Sequence, residues 1–223
     1  MTLTVVGQLF PIDGMRVKVK ICGITTLSAA LAAIHAGADA LGFVFAPSSR
    51  QISPQEAKKL IQALSPFIFK VGVFVDFPIE KVEDIASYCN LDCVQLHGSE
   101  PPEYCHLLRQ KHKVIKAFKV KNKVSETLIN AYPVDAVLLD TYLPAHAGGT
   151  GKSFNWVLAQ NLKLGSPLIL AGGLTAENVG EAIALVNPYA VDVSSGVETN
   201  GKKDLTKIYK FIARAKGVKY ASG

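Results

Sequence analysis

The sequence predicts a single α/β domain in which eight strand–helix units close into a (β/α)8, or TIM, barrel behind a short N-terminal extension. Three observations lead there. Short apolar runs alternate eight times with longer segments of helical period. The runs are too hydrophobic to face water on either side, as the strands of a helix-covered parallel sheet are. And 223 residues suit one such barrel better than two domains of ordinary size. Eight units at nearly even spacing favour closure over an open doubly wound sheet. The dinucleotide-binding form of the open sheet has no support, since no Gly-x-Gly-x-x-Gly follows the first run.

In chain order, a strand over 17–21 precedes a helix over 27–36, and a strand over 40–45 precedes a helix over 54–64. Ser53 followed by Pro54 marks the start of that second helix, a capping side chain before a residue suited to the first turn. The third and fourth units are 68–75 with 79–89 and 93–96 with 101–111. The fifth and sixth are 114–118 with 124–131 and 136–139 with 156–162. The last two are 168–170 with a helix over 176–186 capped by Thr175, and 190–193 with 205–215. Residues 1–16 form an extension of unknown role, 17–217 the catalytic barrel, and 218–223 a tail.

Composition narrows the class. Hydrophobic residues at 49% leave ample material for a core. The excess of 24 Lys and Arg over 18 Asp and Glu is scattered, without basic clusters interleaved with aromatics. It reads as a solvated surface able to steer an anionic substrate, so no nucleic-acid partner is expected. No stretch reaches the roughly 18–20 apolar residues of a membrane span, and the N-terminus lacks a secretory pattern. The four cysteines, Cys22, Cys89, Cys93 and Cys105, read as reduced thiols of a cytoplasmic enzyme. A zinc site from Cys89, Cys93, His97 and Cys105 is unattractive, because a helix-to-strand break separates the first two.

In a barrel, chemistry sits where strands end. The first run ends Lys20-Ile21-Cys22-Gly23, and alternation puts Lys20 and Cys22 on the inward face. At that spacing, about 6–7 Å along the strand, the ammonium is expected to lower the thiol pKa. A small buried hydrophobe is the plain alternative for Cys22. Arg50 lies in the loop after the second strand and is shaped to grip a carboxylate, or is simply a solvated loop residue. Asp140 ends a very apolar strand, where desolvation favours an acid–base role, although a loop-bracing carboxylate is the alternative. Gln95 and His97 share a face of the fourth strand, with His97 at the rim to meet substrate or brace a loop.

Glycine-rich stretches follow the last three strands: Gly148-Gly149-Thr150-Gly151, Ala171-Gly172-Gly173 and Ser194-Ser195-Gly196. Glycines let backbone N–H groups approach an anion, and a phosphate site in this region recurs in the architecture. The first stretch is not a nucleotide P-loop, for only one residue separates Gly149 from Gly151. Spacing alone thus yields a phosphorylated small substrate and a rim holding a thiol, a carboxyl and an arginine, but not the reaction.

These residues together resemble a known family. Lys20-Ile21-Cys22-Gly23-Ile24-Thr25, Gly37-Ala38-Asp39-Ala40-Leu41-Gly42-Phe43, Ser49-Arg50 and Val71-Gly72-Val73-Phe74-Val75 occur in its order. So do Val94-Gln95-Leu96-His97-Gly98, Leu139-Asp140, Gly148-Gly149-Thr150-Gly151 and Asp192-Val193-Ser194-Ser195-Gly196-Val197-Glu198. The ordered set is similar to phosphoribosylanthranilate isomerase from about residue 17 to 217. The resemblance implies an Amadori rearrangement in tryptophan biosynthesis, from N-(5-phosphoribosyl)anthranilate to 1-(2-carboxyphenylamino)-1-deoxyribulose 5-phosphate. It implies Cys22 as general base, Asp140 as general acid and Arg50 as partner of the anthranilate carboxylate. Gly149, Thr150, Gly151, Gly172, Gly173, Ser195 and Gly196 would hold the phosphate, and His97 is a further substrate contact. No metal or organic cofactor is expected, and the enzyme would be a monomer or homodimer. The stretch before Val17 departs from the family's usual start.

Two rival readings remain at this point. The related isomerase of histidine biosynthesis is expected to use aspartates at the ends of strands one and five, where this chain has Cys22 and Phe118-Lys119. A non-catalytic phosphosugar-binding protein would not need Cys22 and Asp140 together.

Overall fold

Alternation of side chains along each strand turns successive residues toward one or other of two cores. The computed structural model, which describes residues 16–120, 123–140 and 156–217, realises both. Strands β1 (Lys18–Cys22), β2 (Ala40–Val44), β3 (Phe69–Phe74), β4 (Cys93–Leu96), β5 (Lys113–Lys119), β6 (Ala136–Asp140), β7 (Leu168–Ala171) and β8 (Ala190–Val193) pair in parallel and in chain order. β8 returns to β1, with Lys20 opposite Asp192, so the barrel is closed. Outward residues such as Val19, Ile21, Leu41, Phe43, Leu139 and Leu170 pack beneath the helices. Inward residues form a separate cluster of Val71, Cys93, Ile115, Ala117, Leu138, Ile169, Ala171 and Ala190.

The covering helices are α1 (Leu27–Ala36), α2 (Pro54–Gln62), α3 (Ile79–Cys89), α4 (Pro102–Arg109), α5 (Glu126–Asn130), α6 (Val179–Val186) and α7 (Leu205–Ala215). α2 begins as its sequence announces. Ser53 accepts from Glu56 N at 3.3 Å, and Glu56 reaches back to Ser53 N at 3.2 Å, a reciprocal cap ahead of Pro54.

Two expected helices are corrected. The segment 156–162 is a 3₁₀ turn over Trp156–Ala159, and Asn161 at φ 57° turns the chain out of helical geometry. α6 starts at Val179, three residues later than the cap at Thr175 implied. There Thr175 N donates to Asn178 Oδ1, Glu177 N to Thr175 Oγ1 and Asn178 Nδ2 to Gly173 O. Those side-chain bonds make a turn of residues that helical propensity alone would enrol. A small antiparallel hairpin, β9 (Glu198–Thr199) with β10 (Lys202–Lys203), was not foreseen either.

Strand direction places Cys22, Lys119, Asp140 and Ala171 at one rim, and the loops of that rim are braced from below. Lys116 points outward from β5 and is buried against Glu100, with Nζ–Oε2 at 2.8 Å and side chains 3% and 2% exposed. Lys116 also donates to Gly98 O, while Glu100 accepts from Asp76 N and Gly98 N. One ion pair therefore ties the loops after β3 and β4 to β5. Removing one partner of a buried pair strands the other. Glu100→Ala is expected to cost about 3 kcal/mol in urea unfolding; unchanged stability would show that the pair does not hold these loops.

Candidate active site

Cys22 is the last residue of β1, inward-facing and 7% exposed. Two residues earlier, Lys20 lies fully inside the barrel and bonds Asp192 of β8 at 3.0 Å. Space for both comes from β2. A Cβ on Gly42 would lie 2.8 Å from Cys22 Sγ and 3.1 Å from Lys20 Nζ. Burial lowers and Asp192 raises the affinity of Lys20 for its proton, and the net shift is upward, so Lys20 stays charged.

The thiol corrects an expectation. A lowered pKa was anticipated from Lys20, but the Cys22 pKa is raised. Burial is the largest cause, and Asp192 adds to it by repelling a thiolate. Lys20 pulls the other way without outweighing burial.

Asp140 ends β6 and is half-buried. Its Oδ2 lies 3.2 Å from His97 Nε2, and His97 Nδ1 lies 3.2 Å from Gln95 Nε2. As the amide is oriented, Gln95 donates to Nδ1, which leaves the Nε2–H of His97 to donate to Asp140. The neighbouring strand positions expected to share a face thus form one hydrogen-bonded chain across β4 and β6.

Arg50 is not a solvated loop residue. Its Nε and Nη2 form a fork on Glu198 Oε1 and Oε2, both at 2.7 Å. Glu198 also accepts from Lys203 Nζ at 2.6 Å, and Lys203 donates to Ser194 O at 2.9 Å. Ser194 in turn donates to Cys22 O at 3.1 Å. Burial raises the Glu198 pKa and the bonds from Arg50 and Lys203 lower it, with the net shift downward. The floor beneath Arg50 is Gly23, at φ 79°, where a Cβ would meet Arg50 Cδ at 2.7 Å.

Gly172 and Gly173 follow β7 at φ 88° and 62°, conformations that favour glycine. Ser195 and Gly196 open a 3₁₀ turn after β8. A Cβ on Gly196 would strike the Leu174 carbonyl, so these two loops touch backbone to backbone. Gly149, Thr150 and Gly151 lie outside the described residues. Sequence reasoning missed Asp192, Glu198 and Lys203 as site residues, and Gly42 as the gap that admits Lys20 and Cys22. The Asn200-Gly201 pair was a visible hairpin signal that would have brought Lys203 opposite Glu198. A cleft of about 610 Å³ between Asp92, Arg109, Lys113 and Asp135 lies at the opposite end of the barrel. Arg109 and Lys113 there are already paired with Asp135.

A thiol over a buried ammonium, on the same rim as a carboxyl bonded to an imidazole, gives this α/β barrel the rim of an enzyme with titratable groups at its strand ends. Comparison with known proteins defines it further. The family model of N-(5'phosphoribosyl)anthranilate (PRA) isomerase matches residues 19–214, and the chain belongs to that family, as an isomerase of tryptophan biosynthesis. N-(5'-phosphoribosyl)anthranilate isomerase of Geobacter sulfurreducens is 55% identical over 90% of this chain and 99% of its own. The crystal structure of the enzyme from Thermotoga maritima is 48% identical, with a TM-score of 0.80 over 90% of this chain and 99% of its own. A further structure calls the Thermotoga maritima enzyme dimeric. A relative in complex with reduced 1-(o-carboxyphenylamino)-1-deoxyribulose 5-phosphate is 45% identical, with a TM-score of 0.77 over the same shares.

The raised thiol pKa is directly measurable. Alkylation of Cys22 by iodoacetamide, followed by peptide mass spectrometry, is expected to inflect above the ordinary thiol value of about 8.5. Because Lys20 favours the thiolate, Lys20→Met is expected to push that inflection higher still. An inflection below the ordinary value would contradict the burial argument.

Proposed function

We propose that this rim converts N-(5-phosphoribosyl)anthranilate to 1-(2-carboxyphenylamino)-1-deoxyribulose 5-phosphate, with Asp140 as general acid and Cys22 as general base. The observation that carries the proposal is the pairing of inward-facing Cys22 on β1 with Asp140, bonded to His97, on β6 of the same rim. Asp140 delivers a proton to the ribose ring oxygen, and the C1–O bond breaks to leave an iminium. The carboxylate that remains accepts the Nε2–H of His97, the arrangement described above. Cys22 as thiolate then removes the C2 proton, and the electron pair moves into the iminium to give an enolamine. Protonation at C1 with loss of the C2 hydroxyl proton to solvent yields the ketone.

The raised thiol pKa works against a resting thiolate, so Cys22 must release its proton to solvent as the iminium forms. The iminium places positive charge beside C2 at the moment the proton must leave, adding to the field of Lys20 and favouring the thiolate. The iminium is also the electron sink, so the rearrangement as written calls for neither metal nor organic cofactor. Arg50 receives the anthranilate carboxylate on the guanidinium edge that Glu198 leaves open. Gly172, Gly173, Ser195 and Gly196 offer backbone N–H groups to the phosphate, together with Gly149, Thr150 and Gly151, and His97 is a further contact.

Residues 17–217 are the catalytic unit in this reading, supported by the span of the family match, with residues 1–16 and 218–223 outside it. The enzyme works in the cytoplasm as a monomer or homodimer, without a nucleic-acid or membrane partner. All four cysteines are free thiols, and no described helix is long and apolar enough to cross a membrane.

Cys22→Ser is expected to retain the fold and lower kcat by about 10²-fold or more, the scale of a lost general base; near-normal kcat removes Cys22 from the chemistry. Arg50→Ala is expected to raise KM for the carboxylated substrate far more than it lowers kcat. An unchanged KM takes Arg50 out of the site.

A further inference from the structure

The hairpin after β8 was not read from the sequence, and it sets two opposite charges side by side. Asn200 and Gly201, at φ 53° and 74°, form the two-residue turn, a geometry with both central residues left-handed. That turn sets Lys203 directly opposite Glu198. The side chains of Glu198 and Lys203 are 7% and 4% exposed, against 30% for Arg50. A carboxylate so placed between two cations has no reason to leave: withdrawing it would leave Arg50 and Lys203 repelling each other with nothing between them.

The fork on Glu198 uses the Nε and Nη2 edge of Arg50. A guanidinium has a second edge, Nη1 with the other hydrogen of Nη2, and that edge is the one left for a ligand. Arg50 Cδ rests over Gly23, where a side chain would collide with it. The same network reaches the neighbouring loop, since Lys203 also holds Ser194, the residue before Ser195 and Gly196.

We propose that Glu198, seated by Lys203, is a positioning and specificity-determining residue: it fixes Arg50 by one edge so that the other presents a planar, two-donor receptor to the aryl carboxylate of the substrate. The proposal rests on Arg50 being the carboxylate-binding group. Without Glu198 the arginine keeps its charge but swings on a flexible stem, and recognition of a carboxylate at one fixed place weakens. A ligand lacking the carboxylate gains nothing from that orientation and is indifferent to its loss.

The test compares two stable probes. One is reduced 1-(o-carboxyphenylamino)-1-deoxyribulose 5-phosphate; the other is its 1-phenylamino counterpart without the carboxylate. Dissociation constants are measured for the intact chain, Glu198→Gln, Arg50→Ala and the double variant. The intact chain is expected to prefer the carboxylated probe, and Glu198→Gln to lose about tenfold of that preference, the scale of a hydrogen bond to a charged group. Binding of the probe without the carboxylate should stay within about threefold. The double variant should discriminate no worse than Arg50→Ala alone, because the glutamate acts through the arginine. Glu198→Asp serves as a second variant if Glu198→Gln does not fold. It keeps a charge beside Lys203 while drawing the carboxylate back from Arg50, and the same selective loss is expected. Equal weakening of both probes, or an undiminished preference, overturns the proposal. If Arg50→Ala itself keeps the preference, the assignment of Arg50 falls and this proposal with it. If Arg50→Ala loses the preference and the Glu198 variants keep it, only the role of Glu198 falls.

Discussion

Lys20 and Asp192 face each other across the seam where β8 meets β1, with Nζ and Oδ1 3.0 Å apart and both side chains nearly out of water. A charge in that position is tolerated only with a partner in bonding distance, because desolvation alone would cost several kcal/mol per ion. The pair therefore fixes how the last strand closes onto the first. It also fixes what stands next to it: β2 must offer Gly42, since a side chain there would run into Lys20 and Cys22. The thiol above the pair sits in a field set by two opposite charges and in a space that excludes water. Its protonation state follows from that setting rather than from the chemistry of cysteine alone.

Two further buried carboxylates repeat the arrangement at the rim. Glu100 meets Lys116 and holds the loops after β3 and β4, one of which carries His97. Glu198 meets Arg50 and Lys203 and holds the loops after β2 and β8. In each case a cation anchors a carboxylate, and the carboxylate gathers groups from loops that have no core of their own. A barrel supplies a rigid frame, but loops at its mouth must keep polar backbone and charged side chains in place without extensive apolar packing. Buried ion pairs do that here.

The barrel was legible because its signal is repeated: eight apolar runs with alternating helical segments leave few other solutions, and β4, β8, α1, α3 and α7 fall at the expected residues. The misplaced helices are those where local side-chain bonds or a left-handed asparagine outweigh periodicity, at Thr175–Asn178 and after Ala159. The rim positions of Cys22, Asp140 and His97 were legible because each follows or ends an apolar run, with alternation turning Cys22 to the face of Lys20 and His97 to that of Gln95. The sign of the thiol shift was not, because it turns on burial outweighing Lys20, with Asp192, 170 residues away in the chain, adding to the burial through barrel closure. Nor was the partner of Arg50, for a sequence shows that an arginine can grip a carboxylate but not that Glu198 already has one edge of it.

In the proposed reaction a carboxyl and a thiol on this rim carry out an acid–base rearrangement of a phosphoribosylated aryl amine. It is tested most directly by following the fluorescence of freshly generated phosphoribosylanthranilate as the purified chain is added, with Asp140→Asn as the control. Rapid loss of fluorescence with the intact chain, and none with a folded Asp140→Asn variant beyond spontaneous decay, is the predicted result. Equal turnover by the variant would contradict the role of Asp140, and no turnover by the folded intact chain would contradict the account as a whole.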